Sequence, residues 1–100
     1  MLYRNFQSGK GGEIDLICRH GEVLVFIEVK TRSAEVFGRP SDAVDRKKRR
    51  RIARGAMSWL RMLDMPDITF RFDIVEVLIA EPPEIRVIEN AFTLPTNYYY

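Results

Sequence analysis

This sequence of 100 residues contains one cysteine, Cys18, and one histidine, His20. A single cysteine excludes a disulfide within the chain, and the strand parity that it shares with Ile14 and Leu16 predicts a packed thiol. Because His20 lies in a predicted turn, it provides neither a histidine-based metal cluster nor a Ser-His triad. No apolar run approaches the length that spans a membrane, and the first six residues lack the apolar core of a signal peptide. We therefore expect a cytoplasmic protein without a membrane partner.

The composition, with 46% hydrophobic and 30% charged residues, predicts one globular domain over residues 1–100. Residues 1–12 are expected to hold a short strand and a glycine-rich turn, and residues 91–100 a tail. The net charge of +2 hides a segregation: residues 46–54 hold seven basic side chains, whereas elsewhere nine basic side chains stand against fourteen acidic ones. A basic cluster on an otherwise acidic domain predicts a polyanion partner, namely nucleic acid.

The segment from Gly12 to Arg32 has the pattern of a β-hairpin, because two runs of β-forming residues flank a short polar break that contains a glycine. Side chains alternate between the two faces of a strand, so Glu28 and Lys30 share one face. Leu24 and Phe26 lie on that face as well. The other face carries only apolar side chains, from Val23, Val25, Ile27 and Val29.

The position of Asp15 depends on the register of this hairpin. If residues 20 and 21 form a two-residue loop, Asp15 lies opposite Phe26 and is a diagonal neighbour of Glu28, roughly 7–8 Å away by backbone. Glu13 then lies opposite Glu28 and is a secondary candidate ligand. Carboxylates gathered on one sheet face repel each other, and Mg²⁺ removes this repulsion by binding one or two of them.

Lys30, two residues beyond the glutamate, has the charge to orient an attacking water or to stabilise a phosphate. The pattern therefore favours a metal-dependent phosphodiesterase site. An E-x-K pattern is also common on solvated strand faces, and this alternative stays open. The five consecutive apolar residues 23–27 that precede the pattern fit a merely solvated face less well.

Residues 45–63 carry apolar side chains at helical spacing, with Asp45 as a candidate N-cap and Pro66 just after the end. A basic face lies opposite the apolar stripe, while Lys48 and Arg49 flank the stripe in the first turn. Cations at a helix N-terminus oppose the macrodipole, which favours phosphate binding over the alternative of a simply solvated face. The basic face comprises Arg46, Lys47, Arg50, Arg51, Arg54 and Arg61.

Beyond the helix, residues 68–80 and 84–88 are predicted strands, and residues 33–43 are predicted to be a loop. Arg71 and Asp73 share one face of the first of these strands, which predicts a structural pair. The element order predicts an α/β fold with a mixed sheet, which is antiparallel at first and then returns in parallel through the basic helix.

The motifs G-E-I-D-L-I and F-I-E-V-K-T-R resemble those of the YraN-like family. This family consists of small bacterial proteins of the restriction-endonuclease-like (PD-(D/E)xK) superfamily that look similar to archaeal Holliday-junction resolvases. The superfamily's catalytic pattern, an aspartate followed by E-x-K on the next strand, falls on Asp15, Glu28 and Lys30. Members usually begin with a helix that carries a further glutamate near the metal site, and this sequence starts after that point. The resemblance extends through residues 37–38, 43–44, 48, 71–73 and 90–92.

The resemblance implies a restriction-endonuclease-like sheet and an endonuclease that uses Mg²⁺ or Mn²⁺ on DNA, with branched or structured DNA among its candidate substrates. Asp15 and Glu28 would bind the metal, the carbonyl of Val29 would complete the shell, and Lys30 would position the water. The alternatives are a nucleic-acid-binding module that keeps the fold without cutting, and an interaction protein whose acidic residues are structural. The candidate nucleic-acid contacts are Arg32, Lys47, Lys48, Arg50, Arg51 and Arg54.

The second strand of the hairpin is apolar on one face and half apolar on the other, so it needs cover on both. Only one long helix is expected. The second face therefore requires the tail of residues 92–100, a segment outside this sequence or a partner chain. We expect self-association as a two-fold dimer, the commonest closed symmetry.

Overall fold

The computed structural model describes residues 1–9, 11–33, 45–64 and 67–94, which form five strands and one helix. The strands lie in the sheet in chain order. The third and fourth pair in parallel, and the other neighbours pair antiparallel. This confirms a mixed α/β fold in which the chain returns in parallel after the basic helix. The elements are β1 (Tyr3–Gln7), β2 (Glu13–His20), β3 (Val23–Arg32), α1 (Arg46–Met62), β4 (Phe70–Leu78) and β5 (Glu84–Phe92).

The hairpin of β2 and β3 closes one residue later than predicted. His20 pairs with Val23, so the loop consists of Gly21 and Glu22 rather than residues 20 and 21. Gly21 has a φ of +63°, a conformation that hairpin turns need and that glycine adopts without strain. The predicted register is therefore wrong by two residues. A shift of two keeps residues 16–20 of β2 on their predicted faces, because the side-chain period of a strand is two.

Strict alternation along β2 breaks at Asp15 and Leu16. Ile14 and Ile17 are both buried in the same core, although their spacing would place them on opposite faces of a regular strand. On β1, Arg4 pairs with Leu16 and Phe6 pairs with Ile14, so Asn5 lies at the level of Asp15. Asn5 has a φ of +54°. This irregularity marks the point where Asp15 bonds to β3 through its side chain.

Helix α1 begins after Asp45, whose side chain accepts a hydrogen bond from the backbone N–H of Lys48 at 2.8 Å. This confirms the predicted N-cap. The helix lies close to the sheet, since a Cβ on Gly12 would be 2.5 Å from the backbone N of Gly55. Among the described residues, no helix has the length and apolar character needed to cross a membrane. The buried residues of the helix are Ile52, Ala53, Gly55, Ala56 and Leu60.

The last two strands differ from their predicted limits. β4 is two residues shorter at each end, and β5 continues to Phe92 instead of ending at residue 88. Asp73 explains the longer strand, because its Oδ1 accepts the backbone N–H of Asn90 at 2.9 Å beside a register shift. Pairing resumes beyond this bulge at Phe92, which stacks on Phe72 with ring centroids 4.9 Å apart. Residues 90–92 therefore belong to the sheet and not to a tail.

Arg71 and Asp73 form the predicted structural pair. The Nε of Arg71 donates to Oδ1 of Asp73 at 3.0 Å and to Oδ2 at 3.2 Å. This pair holds the carboxylate that supports the bulge of β5. The predicted loop of residues 33–43, apart from Ser33, and the predicted tail beyond Leu94 lie outside the described residues.

The two faces of the sheet are covered differently. Phe92 and Leu94 are buried in the core on the helix side, so these two residues do not cover the second face as the sequence allowed. On the second face, Val75 pairs with Val87 in an apolar row. Exposure there is greatest on β5, where Ile85 and Val87 are 69% and 55% exposed.

Candidate metal and nucleic-acid site

Glu28 is the buried charge around which the candidate site is built. It continues the row of Leu24 and Phe26 on the helix side of β3, and it is only 2% exposed. The first turn of α1 brings Lys48 over it, with Nζ of Lys48 2.6 Å from Oε1 of Glu28. Burying a carboxylate is costly without a charge partner, and Lys48 supplies that partner.

Asp15 lies next to Glu28, as predicted, but the strand register that places it there differs from the predicted one. Its Oδ2 accepts the backbone N–H of Val29 at 2.8 Å. The regular ladder of β2 and β3 runs as far as Leu16 opposite Ile27, so Asp15 comes level with Glu28 instead of diagonal to it. Two carboxylates from neighbouring strands therefore meet at the end of the ladder.

The charges of this pair act on each other. Burial raises the pKa of Glu28 above its ordinary value, the ammonium of Lys48 opposes that rise, and the negative charge of Asp15 adds to it. The hydrogen bond to Glu28 in turn raises the pKa of Lys48. The two carboxylates thus create a region of negative electrostatic potential that attracts a cation.

Glu13 lies beside this region but faces a different cation. Its Oε1 is 3.8 Å from Nη1 of Arg51, and both side chains are partly exposed. Lys48 and Arg51 are three residues apart on α1, so one helix face supplies both cations. Glu13 is therefore positioned at the rim of the site, where its charge is screened by solvent.

The residues present fit a divalent cation of the magnesium type. Asp15 and Glu28 supply two carboxylates, and Mg²⁺ commonly binds through one or two carboxylates, with waters and substrate oxygens as its other ligands. Among the described residues, no group of three or more His, Cys, Asp or Glu side chains is arranged to hold a metal. Glu13 does not join the other two, and the role of the Val29 carbonyl stays a prediction.

Lys30 and Arg32 follow Glu28 on the same face of β3, next to β4, which carries the buried Glu76. Lys30 is paired with Glu76 in the sheet register. Within the described parts of the chain, the ion-pair partners of Glu76 are Arg32, with Nε 3.0 Å from Oε2, and Arg86, with Nη1 3.8 Å from Oε1. Arg32, a candidate nucleic-acid contact, is thus engaged with a buried carboxylate, whereas Lys30 is placed by the sheet register alone, two residues from Glu28 on the same strand.

The outer surface of α1 forms a cleft of about 450 Å³ that we call the basic cleft. Four of the six candidate nucleic-acid contacts line it, whereas Lys48 points to Glu28 instead. Such a surface matches the charge of a phosphate backbone. The cleft is lined by Arg46, Lys47, Arg50, Arg51 and Arg54.

Two features of this region were missed from the sequence. Glu76 was not singled out, although a glutamate within the apolar run of residues 74–78 signals a charge that needs a buried partner. The contact of Lys48 with Glu28 was also missed. Its signal was the position of Lys48 at the edge of the apolar stripe, in the turn of α1 that approaches the sheet.

These elements define a small mixed α/β protein with an acidic pair beneath a basic helix. The chain belongs to the uncharacterised protein family UPF0102, whose sequence model matches residues 1–77, the segment that holds the acidic pair and α1. The chain is 44% identical over 96 residues to the UPF0102 protein of Geobacter sulfurreducens, and this match covers 94% of the chain and 74% of that protein. A UPF0102 protein of Geotalea daltonii is 46% identical over 96 residues, with 94% and 75% covered.

Proposed function

We propose that this protein is a Mg²⁺- or Mn²⁺-dependent endonuclease of restriction-endonuclease-like fold that hydrolyses phosphodiester bonds of DNA in the cytoplasm. The observation that carries the proposal is the buried Glu28, which has Asp15 beside it and the basic cleft on the helix above it. An acidic pair adjoining a cationic surface is an arrangement suited to metal-dependent phosphodiester cleavage. The cationic surface binds the substrate backbone, and the acidic pair binds the metal.

Each residue has a distinct task in this proposal. Asp15 and Glu28 would hold the cation, which supplies Lewis-acid polarisation and lowers the pKa of a bound water. The backbone N–H of Val29 keeps the carboxylate of Asp15 oriented toward Glu28. Lys30, on the same strand face, orients the attacking water or stabilises negative charge on the phosphate.

The basic cleft positions the nucleic acid. Its guanidinium groups bind phosphate oxygens without reading the bases, so the cleft favours binding that is independent of sequence. Branched or structured DNA suits such a surface, because two duplex arms present more phosphates than one. Arg51 lines the cleft and contacts Glu13 at the rim of the site.

A second candidate function is a nucleic-acid-binding module that does not cut. The observation that favours it is the ion pair of Lys48 and Glu28, which balances the buried carboxylate without a metal. Binding that persists in EDTA, with no cleavage under any metal, would favour this module.

A cleavage assay tests the proposal. Linear, flapped and four-way DNA are incubated with Mg²⁺ or Mn²⁺ and either the wild type or Lys30→Ala. We expect metal-dependent cleavage by the wild type, with preference for a branched substrate, and a loss of about 10²-fold or more in Lys30→Ala. Equal cleavage by both proteins would point to a contaminating nuclease and would contradict the assignment of Lys30.

A further inference from the structure

The ammonium of Lys48 lies where a cation would bind Glu28. The two groups are 2.6 Å apart, and Glu28 is shielded from solvent, so this ammonium rather than water balances the charge of the carboxylate. Asp15 adds a second negative charge at the same point. A divalent ion that binds both carboxylates therefore competes with Lys48 for Glu28.

Lys48 can leave this position, whereas Glu28 cannot. The backbone of Lys48 is fixed by the side chain of Asp45, which accepts its N–H. Its side chain, however, is 32% exposed. The four-carbon stem can turn toward solvent without disturbing α1.

The basic cleft lies on the same helix as Lys48 and presents cationic side chains to an anion. Arg51 lines the cleft and lies three residues from Lys48 on the same helix face. A phosphate held in the cleft beside Arg51 would lie about one helical turn from Lys48 along α1. The long stem and the charge of Lys48 suit such a contact.

We propose that Lys48 is a positioning residue of this site. Its ammonium is the resident counter-ion of Glu28, it is displaced when a divalent cation binds Asp15 and Glu28, and it then contacts a substrate phosphate. The proposal rests on the proposed function, because it takes the acidic pair as the metal site. This exchange couples metal binding to substrate binding, because the ammonium of Lys48 becomes available to the phosphate backbone when a metal ion takes its place at Glu28.

Calorimetric titration of Mn²⁺ into the protein without nucleic acid tests the first step. We expect Lys48→Met to bind the ion about tenfold more tightly than the wild type, because the competing ammonium is gone. Lys47→Met, which removes the same charge from the neighbouring position in the basic cleft, should bind like the wild type. If Lys48→Met fails to fold, Lys48→Gln carries the same expectation.

The outcomes separate the two proposals. Tighter binding in Lys48→Met alone supports the exchange. Equal or weaker binding in Lys48→Met, with clear binding by the wild type, overturns the exchange and leaves the metal site intact. An absence of binding in every variant overturns both the exchange and the metal-dependent function.

The salt dependence of DNA binding tests the second step. Binding is compared between Lys30→Ala and the double variant Lys30→Ala/Lys48→Met, since the Lys30 substitution keeps the DNA intact. With Mg²⁺ present, the double variant should show a slope of log affinity against log salt that is lower by about 0.9 on duplex DNA. In EDTA the two slopes should agree, because Glu28 then holds Lys48. Equal slopes in Mg²⁺ would overturn the phosphate contact.

Discussion

Gly12 and Gly55 touch at the crossing of β2 and α1. A Cβ on Gly12 would lie 2.5 Å from the backbone N of Gly55, and a Cβ on Gly55 would lie 2.8 Å from Cγ1 of Ile14. Because neither glycine has a side chain, the helix can approach the start of β2 closely. This approach brings Lys48 and Arg51 within reach of the acidic residues, so the glycine contact sets the spacing of the candidate site.

Gly55→Ala should destabilise the protein. The added methyl group overpacks the crossing at a cost of about 1–3 kcal/mol, which exceeds the gain of about 1 kcal/mol expected from replacing glycine within a helix. Urea unfolding measures the difference. The control is Gly9→Ala, where an added Cβ meets nothing within 4 Å, and it should change stability little. A Gly55→Ala protein as stable as the wild type would mean that the crossing is looser than described.

The stability of the metal-free protein should depend on pH through Glu28. Burial raises the pKa of Glu28 in the folded chain above its ordinary value of 4.5. The folded chain holds this proton more tightly than the unfolded chain does. The contribution of Glu28 to stability is therefore fully present below pH 4.5 and is lost as the pH rises through the folded pKa.

Comparison with Glu28→Gln isolates this effect, because the variant has no proton to lose. The free energy of unfolding of the wild type minus that of Glu28→Gln should fall in EDTA as the pH rises above 4.5, the ordinary pKa of the group. Glu84→Gln, at an exposed carboxylate of β5, controls for the loss of one negative charge. A difference that stays constant as the pH rises would show that the pKa of Glu28 is the same in the folded and the unfolded chain.

The basic cleft should govern the salt dependence of nucleic-acid binding. If its side chains contact phosphates, each lost contact lowers the slope of log affinity against log salt by about 0.9 on duplex DNA. Replacing Arg50, Arg51 and Arg54 together with glutamine should flatten the slope and weaken all sequences alike. Arg61→Gln, an exposed position of the same helix outside the cleft, is the matched control. Binding unaffected by the triple replacement would leave the cleft as a solvated surface.

The exposed apolar side chains on the sheet face opposite α1 lead us to expect self-association. The apolar side chains of this face on β5, Ile85 and Val87, are largely exposed, and a contiguous apolar surface of several hundred Å² is unusual for a monomer. We predict a two-fold dimer at micromolar concentration, measured by light scattering coupled to size exclusion. Ile85→Lys/Val87→Lys should return it to monomer. A wild type that elutes as a clean monomer would contradict this prediction.

The sequence predicted the elements whose signals are local. The side chain of Asp45 and the helical spacing of apolar residues defined α1, and the glycine in the polar break located the hairpin. The register of the hairpin was harder, because His20, Gly21 and Glu22 allow two different two-residue loops. Only packing of the whole sheet distinguishes the two, and both leave Asp15 and Glu28 on one face.

Long-range contacts account for the features that the sequence did not reveal. The extension of β5 depends on a hydrogen bond between Asp73 and Asn90, which are 17 residues apart. The pairing of Lys48 with Glu28 depends on the close crossing of the helix over β2. Spacing along the chain does not reveal either contact; for Lys48 it gives only a position at the edge of the apolar stripe and not the partner, Glu28.

The proposed activity requires that Asp15 and Glu28 bind a divalent cation together. A thermal melt of the wild type in Mg²⁺ or Mn²⁺ and in EDTA tests it, beside Asp15→Asn and the exposed Asp67→Asn. Asn keeps an oxygen to accept the N–H of Val29, so Asp15→Asn removes charge while it preserves that hydrogen bond. At 100 times the dissociation constant, binding contributes about 2.7 kcal/mol, which raises the melting temperature by about 11–22 °C. We expect this rise in the wild type and in Asp67→Asn. In Asp15→Asn we expect almost no rise. A rise of the same size in Asp15→Asn, or no rise in the wild type, would contradict joint binding of the cation by Asp15 and Glu28.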